Sequence, residues 1–89
     1  MKQKTLTGEN QFTDPKECVG NHNLSISGTF EGTITLQRSF DGGVTWKDTD
    51  NFTTPIETYF FEPGTVKVLY RVGTKTGDYT SGSAEVIIA

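Results

Sequence analysis

Alternation with a period of two dominates this chain, and no stretch carries the 3.6-residue period of an amphipathic helix. Residues 33–40, TITLQRSF, place Ile34, Leu36 and Phe40 on one face of a strand and Thr33, Thr35, Gln37 and Ser39 on the other. Arg38 falls on the apolar face, which predicts a packed stem near an edge with its head in water. Further along, Val66, Val68, Tyr70 and Val72 alternate with Lys67, Leu69, Arg71 and Gly73, the pattern of a central strand with one polar-leaning face. Pro55 opens and Pro63-Gly64 closes a strand over 56–62, in which Tyr59-Phe60-Phe61 puts aromatic groups on both faces. A turn at Thr76-Gly77-Asp78 leads into a last strand, 79–88, with a bulge expected at 81–83, Ala84, Val86 and Ile88 inward and Ile87 outward.

The rest of the pattern is weaker. Leu24 and Ile26 alternate with Ser25 and Ser27, but glycines 28 and 32 predict an interruption, as a hairpin turn or a corner plugged by Phe30. Residues 21–23 read as a polar turn and 47–51 as a polar loop. Residues 2–7 read as an edge strand or an arm in need of something to pair with, so that 1–8 is set apart from a single domain over 9–89. Together these elements predict an all-β fold, an antiparallel β-sandwich of about seven strands, immunoglobulin-like in outline, with a jelly-roll or flattened barrel as the alternative.

The segment Ser39-Phe40-Asp41-Gly42-Gly43-Val44-Thr45-Trp46 is the strongest turn signal. It predicts a hairpin from which a short strand, 44–47, departs, with Trp46 folded under the turn against the core. The order Ser-x-Asp-x-Gly-x-Thr-Trp resembles the Asp-box, a hairpin motif of sialidase propellers. The resemblance implies a structural turn built by Ser39, Asp41, Gly43, Thr45 and Trp46. It does not imply sialidase chemistry, because a propeller needs several blades of about 40 residues each and this chain has 89 residues and one copy.

Composition narrows function. The chain is 11% aromatic, which argues against disorder. Its net charge is -3 with lysines and arginines scattered singly, so no nucleic acid partner is expected. It has no apolar run of membrane-spanning length, and its first residues lack the apolar core of a signal peptide, so no membrane partner and synthesis in a host cytoplasm are expected. Cys18 is the single cysteine, read as a buried thiol rather than a nucleophile paired with the lone His22. Asp48 and Asp50 read as part of a solvated turn rather than a Ca²⁺ site. No nucleophile elbow, phosphate loop or ligand cluster is present, so neither an enzyme nor a cofactor is expected.

Tyr70-Arg71-Val72, a glycine turn and a Ser/Gly-rich return strand resemble the last hairpin of immunoglobulin-like and fibronectin type III domains. Residues 33–46 and 70–82 together resemble small β-proteins encoded among the virion genes of tailed bacteriophages. That resemblance implies a capsid decoration or cement protein, located in the virion, with the major capsid protein or another virion protein as partner. It also implies a homotrimer whose N-terminal arm crosses to a neighbour and can be removed without loss of the fold. The alternative is a tail or host-surface carbohydrate-binding module, with a surface glycan stacked on Trp46, Tyr59 or Tyr79. Strand periodicity sends spare apolar groups outward, so Leu6, Tyr59, Phe61, Leu69 and Ile87 are the candidate interface.

Overall fold

Residues that alternate in sequence alternate in burial. The computed structural model describes residues 1–64 and 68–89. Among these, nine strands form: β1 (Lys2–Leu6), β2 (Gln11–Phe12), β3 (Lys16–Cys18), β4 (Gly20–Gly32), β5 (Ile34–Ser39), β6 (Lys47–Phe52), β7 (Ile56–Glu62), β8 (Val68–Thr74) and β9 (Tyr79–Ile88). All pair antiparallel, in a four-stranded sheet ordered β1-β9-β4-β7 and a five-stranded sheet ordered β2-β8-β5-β6 with β3 also on β8. The β-sandwich expected from the alternation is thus present. The start of its central strand at Val66 and Lys67 lies outside the described residues.

The pairing is nested. β1 pairs β9, β2 and β3 pair β8, β4 pairs β7, and β5 pairs β6 as the innermost hairpin. This ribbon is rolled so that β4 also meets β9 and β5 also meets β8. β2 and β3 lie end to end along one edge of β8. Between them Thr13 holds the ladder: its N–H donates to the Val72 carbonyl at 3.0 Å and its hydroxyl accepts the Val72 N–H at 3.2 Å. With β2 and β3 counted as one interrupted strand, the order is that of an eight-strand jelly roll. The expected terminal hairpin is not formed, because nested pairing puts β8 and β9 in different sheets.

Leu24 and Ile26 of β4, Ile34 and Leu36 of β5, Val72 of β8, and Val86 and Ile88 of β9 are fully buried between the sheets. Leu6 joins them at 1% exposure. It was expected to face outward, but β1 pairs with β9 along its whole length, Lys2 opposite Ile88 and Leu6 opposite Ala84, and this register turns Leu6 inward. Residues 2–6 are therefore an edge strand of the chain's own sheet.

Other expectations change for stated reasons. Residues 21–23 and 28–32 are not turns but parts of β4, the first paired with β7 and the second with β9. Gly28 permits this: a Cβ there would lie 2.6 Å from the Ser83 carbonyl oxygen. Phe30 still packs against the core. The irregularity in β9 falls earlier than 81–83, since Glu31 faces Ser81 and Gly32 faces Tyr79, leaving Thr80 as the extra residue. Residues 47–51 are not a loop but most of β6, an edge strand whose exposed polar side chains suit an open edge. Its Thr49 hydroxyl donates to the Leu36 carbonyl at 2.9 Å. No strand runs over 44–47, and Phe40 lies beyond the end of β5 at 66% exposure rather than in the core.

One end of the interior is polar. Glu62, buried on β7, accepts from the Arg38 guanidinium at 2.7 Å and from the Tyr70 hydroxyl at 2.8 Å, joining the two sheets. Its other oxygen accepts the Gly64 N–H at 3.2 Å. Arg38 is partly exposed, as its place on the apolar face predicts, but its head is held in this pair and lies over the Phe40 ring at 4.5 Å. Phe60 bridges His22 and Tyr70, with ring centroids at 5.7 and 4.6 Å.

Cys18 is fully buried, and burial pushes its thiol up from 9.0 to about 11. The native thiol is expected to resist a disulfide reagent at pH 8 and to react fully on unfolding. Because the folded-state value is raised, the stabilising preference for the neutral thiol holds below pH 9 and is lost as pH climbs through about 11. A urea-unfolding series from pH 8 to 11 should show that loss, and a Cys18→Ala variant should show less of it.

Candidate functional site

The five turn residues Ser39, Asp41, Gly43, Thr45 and Trp46 meet in one loop. The Ser39 hydroxyl donates to Asp41 Oδ1 at 2.7 Å and accepts the Gly43 N–H at 2.9 Å, and Asp41 Oδ1 also accepts the Thr45 N–H at 2.8 Å. These side-chain acceptors replace a backbone ladder, which is why the connection is wider than a two-residue hairpin and pairing resumes only at Arg38 opposite Lys47. Gly43 sits at φ 96°, and the Trp46 ring comes within 3.6 Å of where its Cβ would be. The Thr45 N–H and the Ser39 hydroxyl hold the Asp41 carboxyl down, from 3.8 to about 2. A depressed value means the turn is supported above pH 4 and released as pH falls through about 2. The protection of the Gly43 and Thr45 amides, relative to their intrinsic exchange rates, should fall over that interval, and Asp41→Ala should show the low protection at neutral pH.

The outer face of the five-stranded sheet is closed by its own side chains. Arg71 is sandwiched between the Phe12 ring at 4.0 Å and the Trp46 ring at 4.3 Å. Its Nε donates to Gln37 at 2.9 Å, Gln37 donates to Asp48 at 2.9 Å, and Lys75 pairs with Asp48 at 2.7 Å. This cover buries Thr35, Gln37 and Ser39 on the polar side of β5. Trp46 therefore packs on Arg71 beneath its turn. Asp48 is committed to Lys75 and Gln37, which hold its carboxyl below the usual range. Among the described residues no three His, Cys, Asp or Glu side chains gather as metal ligands. Leu69 is half-buried on this face, its Cδ1 3.7 Å from where a Gly43 Cβ would be.

The outer face of the four-stranded sheet is open. Tyr59 and Phe61 of β7 project from it at 72% and 59% exposure. In register beside them on β4 stand Asn23 opposite Tyr59 and Asn21 opposite Phe61. One row further, Ser25 lies between Glu57 and the half-buried Ile87, and its hydroxyl donates to Glu57 at 2.6 Å. Of the five candidate interface residues, Tyr59, Phe61 and Ile87 share this face. Leu69 is on the opposite sheet and Leu6 is in the core. Tyr79 is half-buried, its hydroxyl donating to the Gly82 carbonyl at 2.7 Å.

The exposed pair Phe40 and Val44, at 66% and 84%, escaped the sequence pattern, because alternation gives no account of side chains in a loop. Arg71 escaped it as well: Phe12, Trp46 and Arg71 are far apart in sequence, and only the strand order unites them. No family model matches this chain, and neither does any curated protein or solved structure.

Proposed function

We propose that this chain is a structural protein of a tailed-bacteriophage particle, a decoration protein that seats on the capsid surface with the major capsid protein as its partner and carries out no reaction of its own. The observation that carries this reading is the exposed Tyr59 and Phe61 pair on the outer face of the four-stranded sheet. Large aromatic groups held on a flat, rigid sheet suit docking onto a broad protein surface, where a few such anchors supply most of the affinity. The resemblance of residues 33–46 and 70–82 to virion β-proteins selects the particle as partner. The jelly-roll order adds support, since that architecture recurs in capsid domains.

The test is co-sedimentation of purified protein with phage heads that lack it. Saturable, stoichiometric binding is expected, weakened about tenfold or more when Tyr59 and Phe61 are both changed to alanine. Failure to bind heads at any concentration tried would defeat the proposal. A second reading, a glycan-binding module of the tail or host surface, is favoured by the amides of Asn23 and Asn21 beside the two rings. Sugar hydroxyls hydrogen-bond to amides while the ring stacks on an aromatic face. Binding to host-surface polysaccharide without binding to heads would establish it instead.

A further inference from the structure

We propose that β7 is also the strand through which two copies of this chain join, pairing antiparallel with β7 of the partner subunit about a two-fold axis at Tyr59. Two four-stranded sheets then become one sheet of eight. This goes beyond the capsid reading and does not depend on it.

The first argument is the contrast among sheet edges. β1, which carries Lys2 and Lys4, ends one side of the four-stranded sheet. β6 ends the other sheet with Lys47, Asp48 and Asp50 and a register break. Its opposite edge is β2 and β3, interrupted at Asp14-Pro15 and carrying Lys16 and Glu17. Charges, prolines and irregularities of this kind keep open edges from pairing with other chains. β7 is the least guarded, its two charges, Glu57 and Glu62, lying toward its ends. Its centre, Thr58-Tyr59-Phe60-Phe61, is uncharged, free of proline and rich in strand-forming residues, and it pairs with β4 without a bulge. An edge with an uncharged, regular centre is a place where strand addition occurs.

The second argument is register. A two-fold perpendicular to the sheet keeps side chains on their own faces only when it passes through a residue. At Tyr59, all seven residues of β7 pair, and Pro55 and Pro63 stay outside the ladder. Glu57 then faces Phe61 of the partner subunit, and Ile56 faces Glu62 of the partner subunit. No glutamate faces a glutamate, so the like-charge penalty across strands is avoided. Tyr59 meets Tyr59 of the partner subunit on the outer face, where it is otherwise 72% exposed. On the inner face, Ile56, 37% exposed at the end of the core, gains cover.

Sedimentation velocity on the full chain, from micromolar to several hundred micromolar, is the test. A species of twice the 9.8 kDa chain mass is expected. Tyr59→Lys sets two ammonium groups against each other at the axis and should weaken association by about tenfold or more. At a concentration low enough for wild type to be monomeric, its melting curve should match wild type, because Tyr59 lies outside the core. Tyr59→Cys should form a covalent dimer under mild oxidation, since directly opposite Cβ atoms are about 4.5–5.5 Å apart. Phe61→Cys should not, because the two copies of that position are four residues out of register, about 13 Å along the strands. Cys18 is buried and does not compete. A monomer throughout, a trimer, a dimer indifferent to Tyr59→Lys, or cross-linking through Phe61→Cys in place of Tyr59→Cys would each overturn the proposal. A dimer that ignores phage heads would support the two-fold and defeat the capsid reading, and a monomer that binds heads would do the reverse.

Discussion

Removing residues 1–8 is expected to abolish cooperative folding. The deletion takes away β1, whose five residues pair with β9 from Lys2 opposite Ile88 to Leu6 opposite Ala84. It opens the β9 edge beside Ala84, Val86 and Ile88, all buried in the intact chain. It also removes the Gly8 carbonyl, which accepts the Thr74 hydroxyl at 2.7 Å. Leu6→Ala isolates the packing part of this loss. A fully buried leucine cut to alanine costs about 2–5 kcal/mol, the spread reflecting how far the cavity collapses. Total stability of a domain is about 5–15 kcal/mol, so the point variant should lose a large share of it. Urea titration followed by circular dichroism distinguishes the outcomes. A truncated chain with a wild-type transition would mean that β1 is dispensable, as a crossing arm would be.

Breaking the polar end of the interior should be nearly as costly. Glu62 is 3% exposed and is the shared acceptor of Arg38 and Tyr70. Glu62→Leu leaves a guanidinium and a buried hydroxyl without their acceptor, and removing one member of a buried pair costs about 3–5 kcal/mol. Arg38 keeps some contact with water, its side chain being 28% exposed, which places the expected loss at the lower end, about 3 kcal/mol. Glu62→Gln retains an acceptor oxygen and loses only the charge, so its cost should be smaller, about 1–2 kcal/mol. The double variant Glu62→Leu with Arg38→Met removes both charges and should recover part of the loss, since apolar replacement of a buried pair is often close to neutral. A double variant less stable than Glu62→Leu alone would show that Arg38 acts through packing on Phe40 and not through its charge.

What could be read in the sequence follows from which strands have one dry face. β7, β8 and β9 were legible because their alternate residues meet the core and the others meet water or a polar layer. Pro55 and Pro63 even marked the ends of β7 correctly. β6 was illegible because every side chain from Lys47 to Asn51 is exposed, so the strand is held by backbone pairing with β5 and by polar side-chain bonds, neither of which alternation records. In β4, Asn21, Asn23 and two glycines carry turn chemistry locally, yet pairing with β7 and β9 on either side holds them extended. Leu6 looked spare because nothing in its own segment says that the partner is 78 residues away, at Ala84. Of the surface, Tyr59 and Phe61 were legible as outward groups from periodicity. The Phe12–Arg71–Trp46 stack was not, since it depends on which strands lie side by side, and alternation does not encode strand order.

The nested pairing has a kinetic consequence. The outermost ladder joins the first strand to the last, so the loop it closes is nearly the whole chain, and non-local closure of this kind slows folding toward milliseconds to seconds. The β5–β6 hairpin, with its hydrogen-bonded loop, is the most local piece and is available first. During synthesis, Leu6, Leu24 and Ile26 must wait, unburied, until Ala84, Val86 and Ile88 have left the ribosome, since β9 lies between β1 and β4. The exposed interval is therefore set by the arrival of β9, and a nascent chain stalled anywhere before β9 remains a half-open sheet.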